Sequence, residues 1–455
     1  MKPGLVLVLD RRAGRAAECA AGMLDALDAV GALGVRAARG DGWAGAAIGP
    51  AGCVAGCGIV VDGGDVLIWT GDVIGLAGGA GAEAIGRRLL EGLRWEGVEW
   101  LAGLDGSFCG AWFNGSAGRW VVFNDRFGLI PVFYAADGER VVVAPQAWLA
   151  WRASGRPLKL FEEGFTSILR ATNATGDRTL IEGVRWLVSG HVLEVRGGSD
   201  GWGEARARCY WEYRCPSRPA VRSFEEAVEG GAEAVIDAVR RCAAGGTDVV
   251  MGISGGMDSR LILAACGAVG VRPKTYTLGW RWSEDVRFGR RLARAAGVEH
   301  AWIEPSDEKV GDGLERLIVE SDGLHSGRHL GMATAVGEYL AGHSGYLLLE
   351  GYLLGMVGGS ATVEADDVPT DWPAHACRWA RRHFHAGGDI EAVDGLLLPD
   401  VARRSRQRWE SEIDERYRRA PGEDPLRRAE YTIMNGRSGR IDVPGTRLLS
   451  EHAVV

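Results

Sequence analysis

The strongest constraint on the fold is a regular alternation that begins near residue 223. Short apolar runs such as "TDVVMGI", "PKTYTLGW" and "HAWIEP" are separated by longer segments such as "EDVRFGRRLARAAGV". The short runs are typical of buried strands, and the longer segments carry apolar residues at helical spacing. Strands that alternate with amphipathic helices predict a parallel sheet covered by helices on both faces.

The sequence before about residue 213 has a different pattern. Runs such as "GLVLVLD" and "HVLEVRG" are apolar or alternating, and Gly, Asn and Asp separate them. They predict strands joined in hairpins, and the stretch from Gly79 to Leu93 predicts a helix. Pro216 and Pro219 mark a linker. We therefore expect two domains, residues 1–213 and residues 214–455.

The charge of the chain narrows its partners. The net charge is −8, which argues against a protein that coats nucleic acid or an anionic membrane. The segment from Val401 to Arg428 is rich in arginine and glutamate, and we interpret it as a solvated helix and not as a nucleic-acid patch. We expect no nucleic-acid partner.

Two further features bear on the compartment. No apolar stretch approaches the roughly 18 residues of a membrane span, and the apolar run at the N-terminus is too short for a signal peptide. The nine cysteines are scattered, and Cys53 and Cys57 have no His or Cys cluster beside them. We therefore expect a cytoplasmic protein with reduced thiols and no membrane partner.

The most informative motif is "SGGMDS", which follows the strand "TDVVMGI" and opens the next helix. Ligands of open parallel sheets bind at the carboxyl ends of strands. Glycines allow close approach of a ligand, and a helix N-terminus offers free N–H groups. Ser254, Gly255, Gly256 and Ser259 therefore predict a phosphate cradle, and Asp258 predicts the Mg²⁺ ion that joins a carboxylate to phosphate. The alternative is a plain glycine-rich turn with a capping aspartate.

This motif resembles the pyrophosphate loop of the ATP pyrophosphatase superfamily, whose members cleave ATP to AMP and pyrophosphate. More narrowly, the chain resembles the asparagine synthetase family and its relative β-lactam synthetase. "KTYTLGW" resembles the strand whose backbone meets the adenine ring, and "SEDVRFGRRLARAAGVEH" resembles the helix that follows it. The resemblance implies that ATP binds to the loop and also to Ile253, Thr277, Leu278 and Gly279.

The first half resembles the class II glutamine amidotransferase domain, most specifically in the segment from Asn124 to Pro131 within "FNDRFGLIPVFY". The resemblance therefore covers nearly the whole chain. It implies an αββα sandwich of the Ntn-hydrolase type, followed by an α/β domain of the ATP pyrophosphatase (adenine nucleotide alpha hydrolase) type.

The first half differs from that family at the positions that carry the family's catalytic groups. The family uses an N-terminal cysteine as nucleophile, whereas this sequence begins Met1-Lys2-Pro3-Gly4. The strand that helps to build the family's oxyanion site corresponds to "TGDVIGL" from Thr70, and its first asparagine is missing. Acyl transfer needs both groups. We therefore expect that this domain releases no ammonia from glutamine.

The second half lacks a metal ligand that the family carries after a later strand. Gly351 and Gly359 keep the family's spacing in "LEGYLLGMVGGS", but the position of the aspartate is Gly355. Glu350 and Asp322 are the acids that we consider as substitutes. Loss of one carboxylate weakens Mg²⁺ binding without abolishing it, because Mg²⁺ also uses water and phosphate oxygens.

The family also carries a late lysine that stabilises the amide-forming transition state. This sequence contains no lysine after Lys309. Either the segment that carries the lysine lies outside this sequence, or an arginine such as Arg437 or Arg440 takes its place, although the two side chains are not interchangeable.

The resemblance implies an ATP- and Mg²⁺-dependent, AMP-forming carbon–nitrogen ligase. Its substrate would be a small molecule or peptide with a carboxylate and an amine, as in β-lactam synthetase-like or peptide-cyclising enzymes of natural product biosynthesis. The sequence does not identify catalytic residues, and it leaves a homodimer open. One alternative is a degenerate family member that binds a nucleotide or a partner without turnover. Another, a tRNA-modifying enzyme, would need a basic face or a catalytic cysteine pair.

Overall fold

The computed structural model describes residues 4–12, 14–28, 33–50, 56–76, 81–171, 174–197, 202–214, 223–246, 248–306, 318–319, 321–324, 333–343, 346–351, 390–422, 428, 431–432 and 453–454. Several residues singled out in the sequence lie outside these ranges, namely Met1–Pro3, Cys53, Gly79, Lys309, Gly355, Gly359, Arg437 and Arg440.

Strands dominate the first half. In chain order its elements are β1 (Gly4–Asp10), α1 (Arg15–Asp28), β2 (Leu33–Gly40), β3 (Trp43–Pro50), β4 (Gly56–Asp62), β5 (Asp65–Ile74), α2 (Ala82–Trp95), a 3₁₀ helix (Val98–Gly103), β6 (Asp105–Asn114), β7 (Arg119–Asn124), β8 (Phe133–Ala136), β9 (Arg140–Ala144), α3 (Ala147–Ser154), α4 (Glu162–Ala171), β10 (Val184–Trp186), β11 (His191–Gly197) and β12 (Trp202–Cys209).

These strands form two antiparallel sheets of six strands, in the orders β10-β8-β9-β1-β3-β2 and β12-β11-β7-β6-β5-β4. Strand β1 is buried on both sides, which explains its unbroken apolar sequence. Leu5 and Leu7 point into the core between the sheets, whereas Val6 and Val8 point toward α1 and α3. Helix α2 covers the outer face of the second sheet. The layers therefore follow the order αββα, as the resemblance implied.

The second half is built around a parallel sheet. Its elements are α5 (Phe224–Ala243), β13 (Asp248–Gly252), α6 (Met257–Ala268), β14 (Lys274–Leu278), α7 (Glu284–Ala296), β15 (His300–Ile303), α8 (Ala333–Ala341), β16 (Tyr346–Leu349), α9 (Ile390–Gly395), α10 (Pro399–Arg419) and β17 (Ala453–Val454). The strand order is β15-β14-β13-β16-β17.

Both faces of this parallel sheet are covered. The core on one face contains apolar residues of α5, α6 and α7 with Met251 and Ile253. The core on the other face contains residues of α8 with Val250, Tyr276 and Leu348. Alternate residues of β13 therefore enter opposite cores, as expected for a central strand. This α/β arrangement confirms the fold class predicted from the alternation of strands and helices.

Helix α10 differs from its prediction. We expected a solvated helix from Val401 to Arg428, but one face of α10 is buried through Ala402, Ser405, Trp409, Ile413 and Tyr417. These residues recur every three or four positions and therefore share one face of the helix. That face packs against α4 of the first half. The many arginines and glutamates of this segment made its apolar stripe hard to recognise in the sequence.

The division of the chain at residue 213 remains a prediction. Strand β12 ends at Cys209, α5 begins at Phe224, and residues 215–222 lie outside the described ranges. The search for membrane spans, limited to described residues, finds no helix both long and apolar enough to cross a bilayer.

Candidate nucleotide site

The predicted phosphate loop connects β13 to α6, and its two serines brace it from within. The Ser254 N–H donates to Ser259 Oγ at 3.2 Å, and the Gly256 N–H donates to Ser254 Oγ at 3.1 Å. Ser259 Oγ in turn donates to the Gly256 carbonyl at 3.3 Å. The serines thus fix the loop backbone. The sequence predicted them as direct phosphate ligands and did not predict this bracing role.

Gly255 shows what the loop backbone can bind. Its N–H donates to Asp285 Oδ1 at 3.1 Å, and Asp285 lies in the first turn of α7. A Cβ on Gly255 would lie 3.2 Å from the Phe288 ring, so the absence of a side chain keeps the approach open. An anionic oxygen therefore already lies on the N–H group that a phosphate would use. Sequence analysis missed Asp285, although the acid-led start of "SEDVRFG" was its signal.

Arg260 supports the loop from the helix side. Its Nη2 donates to the Gly255 carbonyl at 3.0 Å, and its Nε donates to the Gly256 carbonyl at 3.2 Å. Because these carbonyls are held by the guanidinium, the N–H groups of the same peptide units are directed away from it. Sequence reasoning also missed this contact, because the contact forms only where the loop curves back toward α6.

Asp258 lies in the first turn of α6 and is exposed. The chain leaving β16 passes directly against it, because a Cβ on Gly351 would lie 2.9 Å from Asp258 Cβ and 3.0 Å from its carbonyl carbon. Only glycine fits such an approach. Asp258 and Asp285 supply hard oxygen donors at the loop, and this donor set fits a Mg²⁺ ion that also binds phosphate oxygens and water. The described residues contain no cluster of three metal-binding side chains.

Of the two acids considered as substitutes for the missing ligand, Glu350 lies near the loop. It follows β16 directly, and the pairing of Met251 with Leu349 places it level with Gly252. Leu349 packs into the core of α6, so alternation directs Glu350 to the opposite face, which it shares with Tyr276. Burial raises the pKa of Glu350 to about 6.

The expectation that Asp322 could replace the missing ligand is not supported. Its Oδ1 accepts the backbone N–H of Trp148 at 3.0 Å, in helix α3 of the first half. The carboxylate is therefore engaged in the other domain.

The predicted adenine contacts are only partly available. Ile253 and Thr277 are buried, and Thr277 Oγ1 donates to the Ile253 carbonyl at 2.5 Å. The Gly279 N–H donates to Ile303 O at 3.0 Å, and its carbonyl accepts the Trp302 indole N–H at 2.8 Å. The backbone of Gly279 is thus already bonded, with a second carbonyl lone pair left for an adenine amino group. Leu278 ends the strand beside it.

The amidotransferase motif of the first half has structural contacts. Asn124 donates its amide to the carbonyls of Leu187 and Val188, at 3.0 and 3.1 Å. Asp125 accepts the N–H groups of Phe127 and Leu129, both at 2.9 Å. These bonds tie the end of β7 to the neighbouring turns. Both motif residues therefore have a structural role, as partners of backbone groups.

The side chains near the expected nucleophile position offer no activated group among the described residues. Thr70 is fully buried, and its Oγ1 donates to the Ile48 carbonyl at 2.8 Å. Burial raises the pKa of the thiols of Cys19, Cys57, Cys209, Cys242 and Cys266. A raised thiol pKa lowers the thiolate population and hence the nucleophilicity at neutral pH.

Two family models match the chain. The model of the glutamine amidotransferase domain matches residues 88–211, and the model of asparagine synthase matches residues 230–340. No curated protein sequence matches the chain. The two models lie on the antiparallel and parallel halves, respectively.

Two solved structures resemble the chain at low identity. Glutamine phosphoribosylpyrophosphate amidotransferase from B. subtilis, complexed with ADP and GMP, is 12% identical, with 66% of this chain and 81% of that chain covered and a TM-score of 0.31. Glutamine-dependent NAD+ synthetase from Acinetobacter baumannii, in complex with ADP, is 16% identical, with 64% and 66% covered and a TM-score of 0.23.

Proposed function

Because the chain has the architecture of the asparagine synthetase family, a glutamine amidotransferase domain followed by an asparagine synthase domain, we propose that it is an AMP-forming ligase that makes an amide bond. One oxygen of a substrate carboxylate bonds to the α-phosphorus of ATP while the bond to pyrophosphate breaks. An amine nitrogen then bonds to the acyl carbon and gives up a proton, and AMP leaves with the electron pair of the broken C–O bond.

The observation that supports this function most directly is the anionic oxygen on the Gly255 N–H. In the proposed complex, pyrophosphate oxygens take the place of the Asp285 carboxylate, and the N-terminus of α6 stabilises their charge. Asp258 would hold Mg²⁺, which neutralises the negative charge of the leaving pyrophosphate. Ser254, Ser259 and Arg260 keep the loop in the conformation that presents its N–H groups.

We further propose that the amine comes from the substrate and not from glutamine. The proposal is supported by the structural use of Asn124 and Asp125 and by the raised pKa values of five described thiols. The substrate class that fits is a small molecule or peptide that carries both a carboxylate and an amine, so that ring closure or peptide cyclisation is the reaction type.

The test uses Mg·ATP and a panel of amino acids and short peptides with free amino and carboxyl groups. We expect equal amounts of AMP and pyrophosphate to form only with a productive substrate, and we expect chelation of Mg²⁺ to weaken ATP binding in calorimetry. Formation of ADP and phosphate, or ATP binding that is indifferent to Mg²⁺, would refute the proposed chemistry.

A nucleotide-binding protein without turnover is the second candidate. It is favoured by the Gly279 backbone, whose N–H is already bonded, and by Asp285, which competes for the Gly255 N–H. This candidate predicts measurable Mg·ATP binding with no pyrophosphate release for any member of the panel.

A further inference from the structure

Residues 321–324 lie in the chain between β15 and β16 of the parallel sheet, yet they contact the first half of the molecule. Leu324 is 2% exposed and belongs to the core between the first antiparallel sheet and helices α1 and α3. Its neighbours in that core include Val6, Leu149 and Trp186. We call residues 321–324 the plug.

Asp322 caps a helix of the other domain. Helix α3 begins at Ala147, and its own N-cap residue, Gln146, makes no side-chain capping bond. The free N–H of Trp148 in the first turn donates instead to Asp322 Oδ1 at 3.0 Å. A carboxylate at this position satisfies an N-terminal N–H group and faces the positive end of the helix dipole.

The backbone of the plug is shaped for this contact. Asp322 has a φ of +53°, and it is the single non-glycine residue with positive φ among those described. Gly323 follows with a φ of +65°, and a Cβ there would lie 2.8 Å from the Leu180 side chain. The Leu324 carbonyl accepts the Ala174 N–H at 3.1 Å. A backbone conformation that disfavours side chains is retained because several contacts hold it.

A second contact between the halves lies at helices α4 and α10. The Arg170 side chain is 2% exposed and donates to Asp394 Oδ1 and Ser405 Oγ, both at 2.7 Å. Arg178 and Arg408 form ion pairs with Glu412 and Glu163, at 2.5 and 2.9 Å. The first half therefore contacts the second half at two separate places, the plug and the α4–α10 pair.

The plug is linked by the chain to the candidate nucleotide site. The crossover that contains it continues into α8, whose Tyr339 ring lies 5.6 Å from the Tyr276 ring in the core beneath the sheet. After α8 comes β16, and the chain leaving β16 brings Gly351 against Asp258. Along the chain, the plug thus precedes α8, β16 and the glycine that approaches Asp258.

We propose that the amidotransferase-like domain serves as a scaffold for the nucleotide site, and that the plug anchors the crossover between β15 and β16 to it. This proposal rests on the proposed function, because the site that it positions is the Mg·ATP site. Asp322 is a positioning residue, and it acts through the crossover. The scaffold role gives a use to a domain whose described residues offer no glutaminase nucleophile.

The first experiment measures the coupling of the two domains without nucleotide. The variants are Asp322→Ala, which removes the capping acceptor, and Asp322→Asn, which keeps an acceptor oxygen and tolerates positive φ. We expect Asp322→Ala to increase the rate of limited proteolysis between the domains about fivefold, as loss of a cap does to a local opening equilibrium. Asp322→Asn should behave like the natural chain. Equal proteolysis of all three proteins would overturn the proposal.

The second experiment measures Mg·ATP binding by calorimetry in the same proteins. We expect Asp322→Ala to bind Mg·ATP more weakly, by a few-fold, and Asp322→Asn to match the natural chain. If Asp322→Asn loses as much affinity as Asp322→Ala while its proteolysis stays natural, the affinity does not follow the anchoring of the plug and the scaffold role is wrong. If neither variant changes the affinity, the plug does not position the site. Absence of Mg·ATP binding by the natural chain would refute the proposed function, and the proteolysis result would still decide whether the plug couples the domains.

Leu324→Ala provides an independent check should Asp322→Ala prove unstable. It leaves the cap in place and removes apolar contacts in the first core, so it should reproduce the faster proteolysis and the weaker Mg·ATP binding. A Leu324→Ala protein with natural proteolysis and natural affinity would overturn the proposal.

Discussion

At the scale of single residues, the loop after β13 holds two carboxylates with different surroundings. Asp258 is exposed in the first turn of α6, whereas Asp285 accepts the Gly255 N–H. In the proposed complex, phosphate displaces the Asp285 carboxylate and Mg²⁺ binds the Asp258 carboxylate. Neutralising these two side chains should therefore have opposite effects on the binding of the phosphate groups.

Asp258→Ala should weaken binding of Mg·ATP about tenfold or more and leave AMP binding nearly unchanged. The reason is that the carboxylate acts through the metal on the pyrophosphate end, where a charge-assisted contact contributes about 1–3 kcal/mol. Calorimetry with both nucleotides tests this. Asp248→Ala at the opposite end of β13, where Asp248 pairs with Lys274 at 3.0 Å, is the matched control. Equal losses for both nucleotides would indicate misfolding or an adenine-side role.

Asp285→Asn should tighten binding of inorganic pyrophosphate in the absence of Mg²⁺, by about fivefold. The substitution removes a like charge from the anion site and a charge-assisted competitor from the Gly255 N–H. Titration calorimetry measures the change, and Glu284→Gln, an exposed neighbour paired with Arg287, is the control. Weaker or unchanged binding in Asp285→Asn would show that pyrophosphate does not take the place of this carboxylate.

Glu350→Gln should stabilise the protein at pH 7.5 by about 1–2 kcal/mol. Burial raises the pKa of Glu350 from 4.5 to about 6, so the folded state binds the proton more tightly than the unfolded state. The resulting penalty is absent below about pH 4.5, grows as the pH rises toward 6, and is complete above it. Denaturant unfolding at pH 4 and pH 7.5 tests the difference, with the exposed Glu304→Gln as control. A stabilisation that is equal at both pH values would assign it to packing.

At the scale of secondary structure elements, contacts between distant parts of the chain were hardest to predict. The strands β13, β14 and β15 follow from apolar runs, because the first two have buried centres and the third, at the edge of the sheet, is still partly buried. Helix α10 was predicted as a helix, but its docking depends on Arg170 and Ser405, which are 235 positions apart. Likewise, the role of Asp322 depends on Trp148, 174 positions away. Periodicity reports local burial and contains no information about which remote surface covers a face.

The contact between α4 and α10 gives a prediction at this scale. Arg170→Ala should destabilise the protein by about 1–3 kcal/mol, because it removes buried hydrogen bonds to Ser405 Oγ and the Ala402 carbonyl, while Asp394 keeps its ion pair with Arg406. Chemical denaturation measures the loss. Arg403→Ala, an exposed arginine of α10 paired with Asp400, should change the stability by less than about 0.5 kcal/mol. An Arg170→Ala protein as stable as the control would show that the ion pair contributes nothing to docking.

At the scale of the whole molecule, the first half keeps the fold of an amidotransferase domain. Its motif residues Asn124 and Asp125 form hydrogen bonds with backbone groups. The fold class could be predicted from the sequence because it depends on short patterns, and the loop between β13 and α6 could be located for the same reason, whereas its binding of phosphate stays a prediction. The contacts between the two halves could not be predicted, since they are made by the plug and by α10, which lie far along the chain from their partners.

The whole chain should release no glutamate from glutamine beyond a heat-inactivated control. The physical reason is that, among the described residues, every thiol with a shifted pKa has that pKa raised by burial, which lowers its thiolate population. A coupled glutamate assay at neutral pH measures the rate. Sustained turnover would locate a nucleophile outside the described residues and refute the expectation.

The position of Leu324 has a consequence for synthesis of the protein. A leucine that fills the core of the first half leaves the ribosome only after that half and part of the next have been made. Until then, the nascent first half has a gap where a leucine side chain belongs, and such gaps cost about 2–5 kcal/mol. A chain that terminates early would therefore stay poorly folded and open to proteases, so cells would tend to clear fragments that lack the second half.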